Sequence, residues 1–329
     1  MTTIKDVAKH AKVSVATVSR VLNQKGYVSK EAKQAVESAI KVLNYKPNAV
    51  ARTLYHKTSG MIGLMIPDIS NPFFPELARA IEDAALKEGY TVVLCNTDDQ
   101  VKKEQHYLHA LQQKYVDGVI LATGTDSYDH YLALNLPVVG LDRFVSNKIP
   151  TVVSDNKKGA IAATEHLVEK GCQFITHLRG PKGLAPADER YQGFKEVVET
   201  HGVAHIIVEA DFQIERAEAV TRGLLQKHPT IDGIFTSSDV TAAGAMKAAH
   251  TCKRVIPDDL QIVGFDGIPF GNMLVPSLTT VQQPIYEMGE RATQLLIQLI
   301  EKKTMDSYWH ELPTTLIQRQ TTRGGGGHE

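Results

Sequence analysis

Residues 4–23 read Ile4-Lys5-Asp6-Val7-Ala8-Lys9-His10-Ala11-Lys12-Val13-Ser14-Val15-Ala16-Thr17-Val18-Ser19-Arg20-Val21-Leu22-Asn23. Ile4, Val7, Ala8 and Ala11 recur at helical spacing and give a first short helix a single apolar stripe. The turn runs through Ala11, Lys12 and Val13, and Val13 plugs the gap between two helices. Ser14 is a good N-cap for a second helix, which buries Val18, Val21 and Leu22. Its opposite face offers Ser14, Val15, Ala16, Thr17, Ser19 and Arg20. Those methyls, hydroxyls and one guanidinium suit thymine methyls, phosphates and guanine edges in a major groove. A plain helical hairpin with a polar outside has the same pattern, so the flanking residues decide. Ser29 caps a third helix in which Ala32, Val36, Ala39, Ile40 and Leu43 repeat at helical spacing. Three helices close a miniature core, whereas two do not.

Charge separates this N-terminal part from the rest. The chain carries −1 overall, yet residues 1–60 hold 11 Lys/Arg against 3 Asp/Glu, a balance of +8, which leaves −9 on the remainder. A basic module on an acidic body is the footprint of a protein that touches phosphate at one end only. At 329 residues two or three domains are expected. No apolar run approaches membrane-spanning length, and the first residues lack the apolar core of a signal peptide. Cys95, Cys172 and Cys252 stand far apart with no CxxC pair. The expectation is a cytoplasmic protein with neither a disulfide framework nor a zinc knuckle.

From Gly60 onward, short β-rich runs alternate with helical stretches. Residues 61–66, 91–95 and 118–121 read as buried parallel strands, with 137–140 and 151–153 next. A second series covers 174–177, 206–209, 233–235 and 262–265. The pattern predicts an α/β body of two doubly wound parallel sheets behind an all-α helix-turn-helix headpiece. A weak internal repeat supports two related lobes: Val116-Asp117-Gly118-Val119-Ile120 is echoed by Ile231-Asp232-Gly233-Ile234-Phe235. Val139-Gly140-Leu141-Asp142 is echoed by Val263-Gly264-Phe265-Asp266. Asp142 and Asp266 then sit just past strand C-termini, where open α/β sheets bind ligands, and face each other across a cleft.

The headpiece residues Thr3-Ile4-Lys5-Asp6-Val7-Ala8, Val13-Ser14, Thr17 through Asn23, Asn44-Tyr45 and Pro47 through Leu54 resemble the headpiece and hinge of LacI/GalR-type bacterial repressors. The likeness runs to about Arg319, and the body also resembles periplasmic sugar-binding proteins. It implies a DNA-binding headpiece (1–46), a hinge (47–57), an effector-binding and dimerising body (58–323) and a flexible tail (324–329). Lobe 1 then spans about 58–157 and 286–312, and lobe 2 about 158–285 and 313–323. The resemblance implies a homodimeric repressor on a palindromic operator. Thr3, Ser14, Val15, Ala16, Thr17, Ser19, Arg20, Asn23 and Tyr45 contact DNA, joined by Asn48, Ala51 and Leu54 from the hinge, with Leu54 wedged into a central base step. Lys12 departs from the glycine of many relatives; at positive φ a lysine is modestly strained there.

A sugar needs carboxylates, amides and guanidinium around its edge and flat aromatics on its faces. The predicted strand ends supply Asn71-Pro72-Phe73-Phe74, Leu141-Asp142-Arg143, Asp188-Glu189-Arg190, Asp211-Phe212, Phe265-Asp266-Gly267 and Gln282-Gln283. Each group has a duller reading: Phe73 and Phe74 as core, Asp142 with Arg143 as a solvated pair, Arg190 as decoration of a helix N-terminus. By resemblance to ribose-binding proteins and ribose operon repressors, the contacts are Asn71, Phe73, Phe74, Asp142, Arg143, Arg190, Phe212, Asp266 and Gln283. Ser238 stands where ribose binders usually carry asparagine, which leaves sucrose or a hexose open beside ribose, as well as a corepressor, including a phosphorylated protein. His106 and His109 read as a solvated helix face, Asp98-Asp99 as a turn or cap, and Tyr308-Trp309 as packing. No cofactor or catalytic motif stands out, and an enzyme is not expected.

Overall fold

In a computed structural model, residues 2–23, 26–45, 58–123, 131 and 136–324 are described, and they form two units, Met1–Ser59 and Gly60–Glu329. The side chain of Asn23, the hinge residues Asn48, Ala51 and Leu54, and the tail beyond Gly324 lie outside the described residues.

The first unit is a three-helix headpiece: α1 (Ile4–Ala11), α2 (Val15–Asn23) and α3 (Lys30–Val42). Thr3 and Asp6 form a reciprocal capping box at the start of α1, each side chain accepting the other's backbone N–H. Lys12 ends α1 at φ 53°, the left-handed conformation in which a side chain costs something, and aims the chain into the turn. Ser14 Oγ accepts the Thr17 N–H at 3.1 Å and Ser29 Oγ that of Ala32 at 3.3 Å, so both read caps form. Val7, Ala8, Ala11, Val18, Val36, Ala39 and Tyr45 are the miniature core.

The body has two six-stranded sheets. The first takes β1 (Met61–Ile66), β2 (Thr91–Asn96), β3 (Gly118–Leu121), β4 (Val138–Leu141), β5 (Thr151–Ser154) and β11 (Trp309–Leu312), ordered β11-β5-β4-β3-β1-β2 and parallel throughout. The second takes β6 (Phe174–Arg179), β7 (Ala204–Glu209), β8 (Gly233–Thr236), β9 (Gln261–Asp266), β10 (Thr279–Gln282) and β12 (Thr315–Ile317). Its order is β12-β10-β9-β8-β6-β7, with only β12 antiparallel. Helices cover both faces, which is why β1, β3, β4 and β9 are apolar runs buried almost end to end. On the first sheet, α4 (Phe73–Lys87) and α11 (Ile285–Ile300) bury one face and α5 (Val101–Gln113) the other. On the second, α6 (Asn156–Glu169) and α7 (Ala185–His201) lie on one face, α8 (Ile214–Lys227) and α9 (Asp239–Thr251) on the other; α10 (Pro269–Met273) is a single turn after β9. The fit of α6 on α7 depends on Gly193, where a Cβ would stand 2.4 Å from the Lys157 carbonyl oxygen.

The chain passes between the sheets after β5, after β10 and again between β11 and β12. Strands β10, β11 and β12 were not foreseen from the sequence. Trp309, read as packing, is 44% exposed on edge strand β11, tilted against Phe144 at 5.9 Å. No described helix is long and apolar enough to cross a membrane.

Candidate functional site

The exposed surface of α2 carries Ser14, Val15, Ala16 and Arg20, with Thr17 and Ser19 half-buried beside them. Ser14 Oγ and Thr17 Oγ1 lie 2.9 Å apart, so the two hydroxyls share hydrogens at the helix start. Val15 is 41% exposed, an apolar side chain with no core to fill. Thr3 is committed to capping α1, and Tyr45 is buried in the headpiece core.

The second site lies between the two sheets of the body. Strand C-termini from both converge on a cavity of about 270 Å³, near the small end of ligand sites. All ten residues proposed to bind a ligand line it: Asn71, Phe73, Phe74, Asp142, Arg143, Arg190, Phe212, Ser238, Asp266 and Gln283. Parallel sheets expose their strand ends on one edge, and here the two edges face each other. Asp142, Asp211 and Asp266 occupy left-handed backbone at those ends, with φ of 60°, 50° and 115°. Aspartate tolerates that region better than bulkier residues, and the conformation turns the chain sharply enough to leave the carboxylates in the cleft.

On the lobe 1 side, Asn71 Oδ1 accepts the Phe73 N–H at 3.2 Å just ahead of α4. The rings of Phe73 and Phe74 meet edge to face at 5.1 Å and belong to the core while also lining the cavity. Arg143 pairs with Asp99 at 3.1 Å rather than with its neighbour Asp142. Asp99, read as a turn residue, also lines the cavity, as do Asp68, Gln213 and Asp211, the last offered with Phe212 by the sequence. Their one sequence signal is position just past β1, β2 and β7. Asp142 Oδ1 is buried with no hydrogen-bond partner. Burial raises its carboxyl above the usual range, against the pull of Arg190 and Arg143.

On the lobe 2 side, Arg190 is 3% exposed, far from a solvated decoration. Its Nε donates to Asn156 Oδ1 at 2.9 Å, and Nη1 donates to the Ser237 carbonyl at 2.5 Å and reaches Asp266 Oδ1 at 3.5 Å. The guanidinium lies 3.8 Å from the centre of the Phe265 ring. Gln283 Nε2 donates to Asp266 Oδ1 at 2.8 Å. Burial pushes Asp266 up to about 7 despite Arg190. Asp239 behind it is also raised well above the usual carboxyl range, by burial and by the charge of Asp266. Phe212 lies over Gly180, where a Cβ would stand 2.6 Å from the ring. Ser238 Oγ accepts the Thr241 N–H at 3.1 Å and bonds Thr241 Oγ1 at 2.7 Å, so its hydroxyl caps α9. The cleft thus offers the carboxylates of Asp68, Asp99, Asp142, Asp211 and Asp266 and the guanidinium groups of Arg143 and Arg190, with Phe73 and Phe74 on one side and Phe212 on the other.

A basic helical headpiece and a two-lobed cleft of this kind define a ligand-controlled DNA-binding regulator. Residues 3–48 match the family described as bacterial regulatory proteins of the lacI family. Residues 59–320 match periplasmic binding proteins and the sugar binding domain of the LacI family. The chain belongs to the LacI family and is a sugar-responsive regulator, not an enzyme. It is 69% identical to the ribose operon repressor of Halalkalibacterium halodurans over 329 residues, 100% of this chain and 99% of that protein. The lac repressor dimer bound to operator and the anti-inducer ONPF superposes with a TM-score of 0.88 at 28% identity, over 98% of this chain and 99% of that one. A LacI family regulator from Enterococcus faecium with bound ribose gives 0.73 at 28% identity, over 80% and 98%.

Proposed function

We propose that this chain represses a ribose-utilisation operon from the cytoplasm, as a homodimer on a palindromic operator, and that ribose in the cleft releases it. The observation that carries the sugar reading is Asp142 Oδ1, a buried acceptor without a donor in a cavity otherwise rich in satisfied polar groups. A sugar hydroxyl supplies that donor, and the aromatic walls suit the C–H faces of a small ring. The 69% identity to a ribose operon repressor supports the choice of sugar.

At the operator, Arg20, Thr17, Ser19, Ser14, Val15 and Ala16 enter the major groove, with Tyr45, Asn23 and Thr3 at its edge. Asn48, Ala51 and Leu54 of the paired hinges meet the minor groove. Sugar that closes the two lobes turns the paired first lobes against each other and separates the hinges. By linkage the operator weakens sugar binding by the same factor, and a coupling of about 1–3 kcal/mol gives roughly 5- to 150-fold regulation. Ser238 favours a second reading: its hydroxyl is committed to the α9 cap, so the cleft lacks an amide there and has room for a bulkier sugar such as sucrose or a hexose.

Thermal shift against a panel of sugars tests the choice. Ribose should raise the melting temperature, and Arg190→Ala should abolish the rise. A response to another sugar but not to ribose refutes ribose and spares the mechanism. Ribose that tightens operator binding makes it a corepressor instead of an inducer.

A further inference from the structure

Two residues outside the cavity lining complete a closed hydrogen-bonded ring through it. Ser154 is the last residue of β5 and Asn156 the first of α6, so they bracket the first passage between the sheets. Gln283 follows β10 at the second passage. Ser154 Oγ donates to Gln283 Oε1 at 2.5 Å, and Gln283 Nε2 donates to Asp266 Oδ1 at 2.8 Å. Arg190 Nη1 reaches the same Asp266 oxygen at 3.5 Å, and its Nε donates to Asn156 Oδ1 at 2.9 Å. Asn156 Nδ2 closes the ring on the Ser154 carbonyl at 3.0 Å. All five residues are at least 96% buried. A second strut runs beside it, from Asn156 Nδ2 to Glu189 Oε2 at 3.2 Å.

We infer that Ser154 and Asn156 are positioning residues that carry effector occupancy into the lobe angle. The inference rests on the reading of this cavity as the effector site. Three members of the ring, Asp266, Arg190 and Gln283, face the ligand, while Ser154, Asn156 and Gln283 sit on the two strands of the hinge. Both halves of the Gln283 amide are engaged, one by lobe 1 and one by Asp266. A ligand hydroxyl that takes a place on Asp266 therefore reorients an amide whose other end holds β5. Domain closure about a hinge is absorbed by a few element-terminal residues, and Ser154, Asn156 and Gln283 are such residues. Because each group is dry, an unmade bond is not replaced by water, and the ring has discrete arrangements instead of a continuum.

The test uses Ser154→Ala, which removes one donor from a strand end, and Ser154→Thr, which restores it. Hydrogen exchange is measured on the full-length sugar-free protein. Ser154→Ala should speed exchange about fivefold in segments 150–158 and 280–286, the order one neutral hydrogen bond supports, and Ser154→Thr should return it to the wild-type rate. Segment 174–179, within the second sheet, should not change. With ribose added, the ratio of operator Kd with and without sugar should fall about fivefold in Ser154→Ala, while its ribose Kd stays within about twofold of wild type. Unchanged exchange at both crossings overturns the inference, whatever the sugar does. So does a coupling ratio that survives in Ser154→Ala. A wild-type protein indifferent to ribose, with exchange at the crossings raised in Ser154→Ala, refutes the ribose reading and leaves the ring standing.

Discussion

Asp266→Asn should make the stability of the protein less dependent on pH between pH 5 and pH 8. Asp266 is 4% exposed, and burial lifts its carboxyl from the ordinary 3.8 to about 7. A group whose folded pKa is raised contributes stability that is full below its unfolded pKa and is lost as pH climbs through the folded one. Between pH 5 and pH 8 the wild type therefore loses about 2.5 kcal/mol at this one position. Near pH 5 the folded carboxyl is protonated, and an amide of the same shape resembles it. Gln283 and Arg190 can still reach an acceptor oxygen on that amide. The Asp239 N–H, which the carboxylate also accepts, loses its partner if the amide nitrogen faces it. That offset is the same at both pH values and drops out of the comparison. Removing the charge also relieves Asp239, whose carboxyl is raised in part by Asp266, and this acts in the same direction. The assay is urea unfolding of both proteins at pH 5 and pH 8, followed by far-ultraviolet circular dichroism. The gap between their unfolding free energies should shift toward the variant by about 2.5 kcal/mol, a shift in midpoint with little change in slope. Parallel pH dependence of the two proteins refutes the argument, since Asp266 then titrates like an ordinary carboxyl.

Arg20 is exposed on α2, and Arg20→Ala should weaken binding to the specific operator by about 1–3 kcal/mol while relaxing preference at the base pair it reads. Fluorescence anisotropy with operator and scrambled duplexes checks this, and equal losses on both would make Arg20 a phosphate contact. Gly193→Ala puts a Cβ 2.4 Å from the Lys157 carbonyl oxygen and 2.9 Å from the Ala160 Cβ. It should force α6 off α7 and destabilise the body by about 1–3 kcal/mol, and an unchanged urea midpoint would show that the helices part without cost.

The parts of the fold legible in the sequence were those set by local pattern. Met61-Ile62-Gly63-Leu64-Met65-Ile66 reads as a buried strand because helices cover both of its faces, leaving no polar alternation to confuse the period. Ser14 and Ser29 announce helix starts because capping is a contact over three residues. Asp142 and Asp266 were found through the repeated Val-Gly-x-Asp ending, which marks the same point in each sheet. What stayed hidden depends on partners distant along the chain. Trp309-His310-Glu311-Leu312 is mixed in polarity because β11 is an edge strand, and only its register on Thr151–Ser154 makes it a strand at all. Asp99 looks like a turn residue locally, and its significance comes from Arg143, 44 residues away. Ser154 and Asn156 carry no motif; the role inferred for them depends on Gln283 and Arg190, which arrive from two other elements.

The cleft holds an unmet demand, and the demand has the size of the proposed switch. Asp142 Oδ1 has no donor, and an unsatisfied buried acceptor costs about 1–3 kcal/mol. Asp266 sits in a site that resists its charge, although Arg190 and Gln283 both address one of its oxygens. A ligand that donates to both carboxylates removes a penalty in each lobe, and it does so fully only when the lobes stand at the separation its own width sets. In the proposed function, binding energy and lobe angle are therefore tied together through Asp142 on one side and Asp266 on the other. Effectors modulate such proteins by coupling energies of about 1–3 kcal/mol, the same order as the single orphaned acceptor. A ligand that satisfied only Asp142 would bind without fixing the separation, and it should occupy the cleft while leaving operator affinity nearly unchanged.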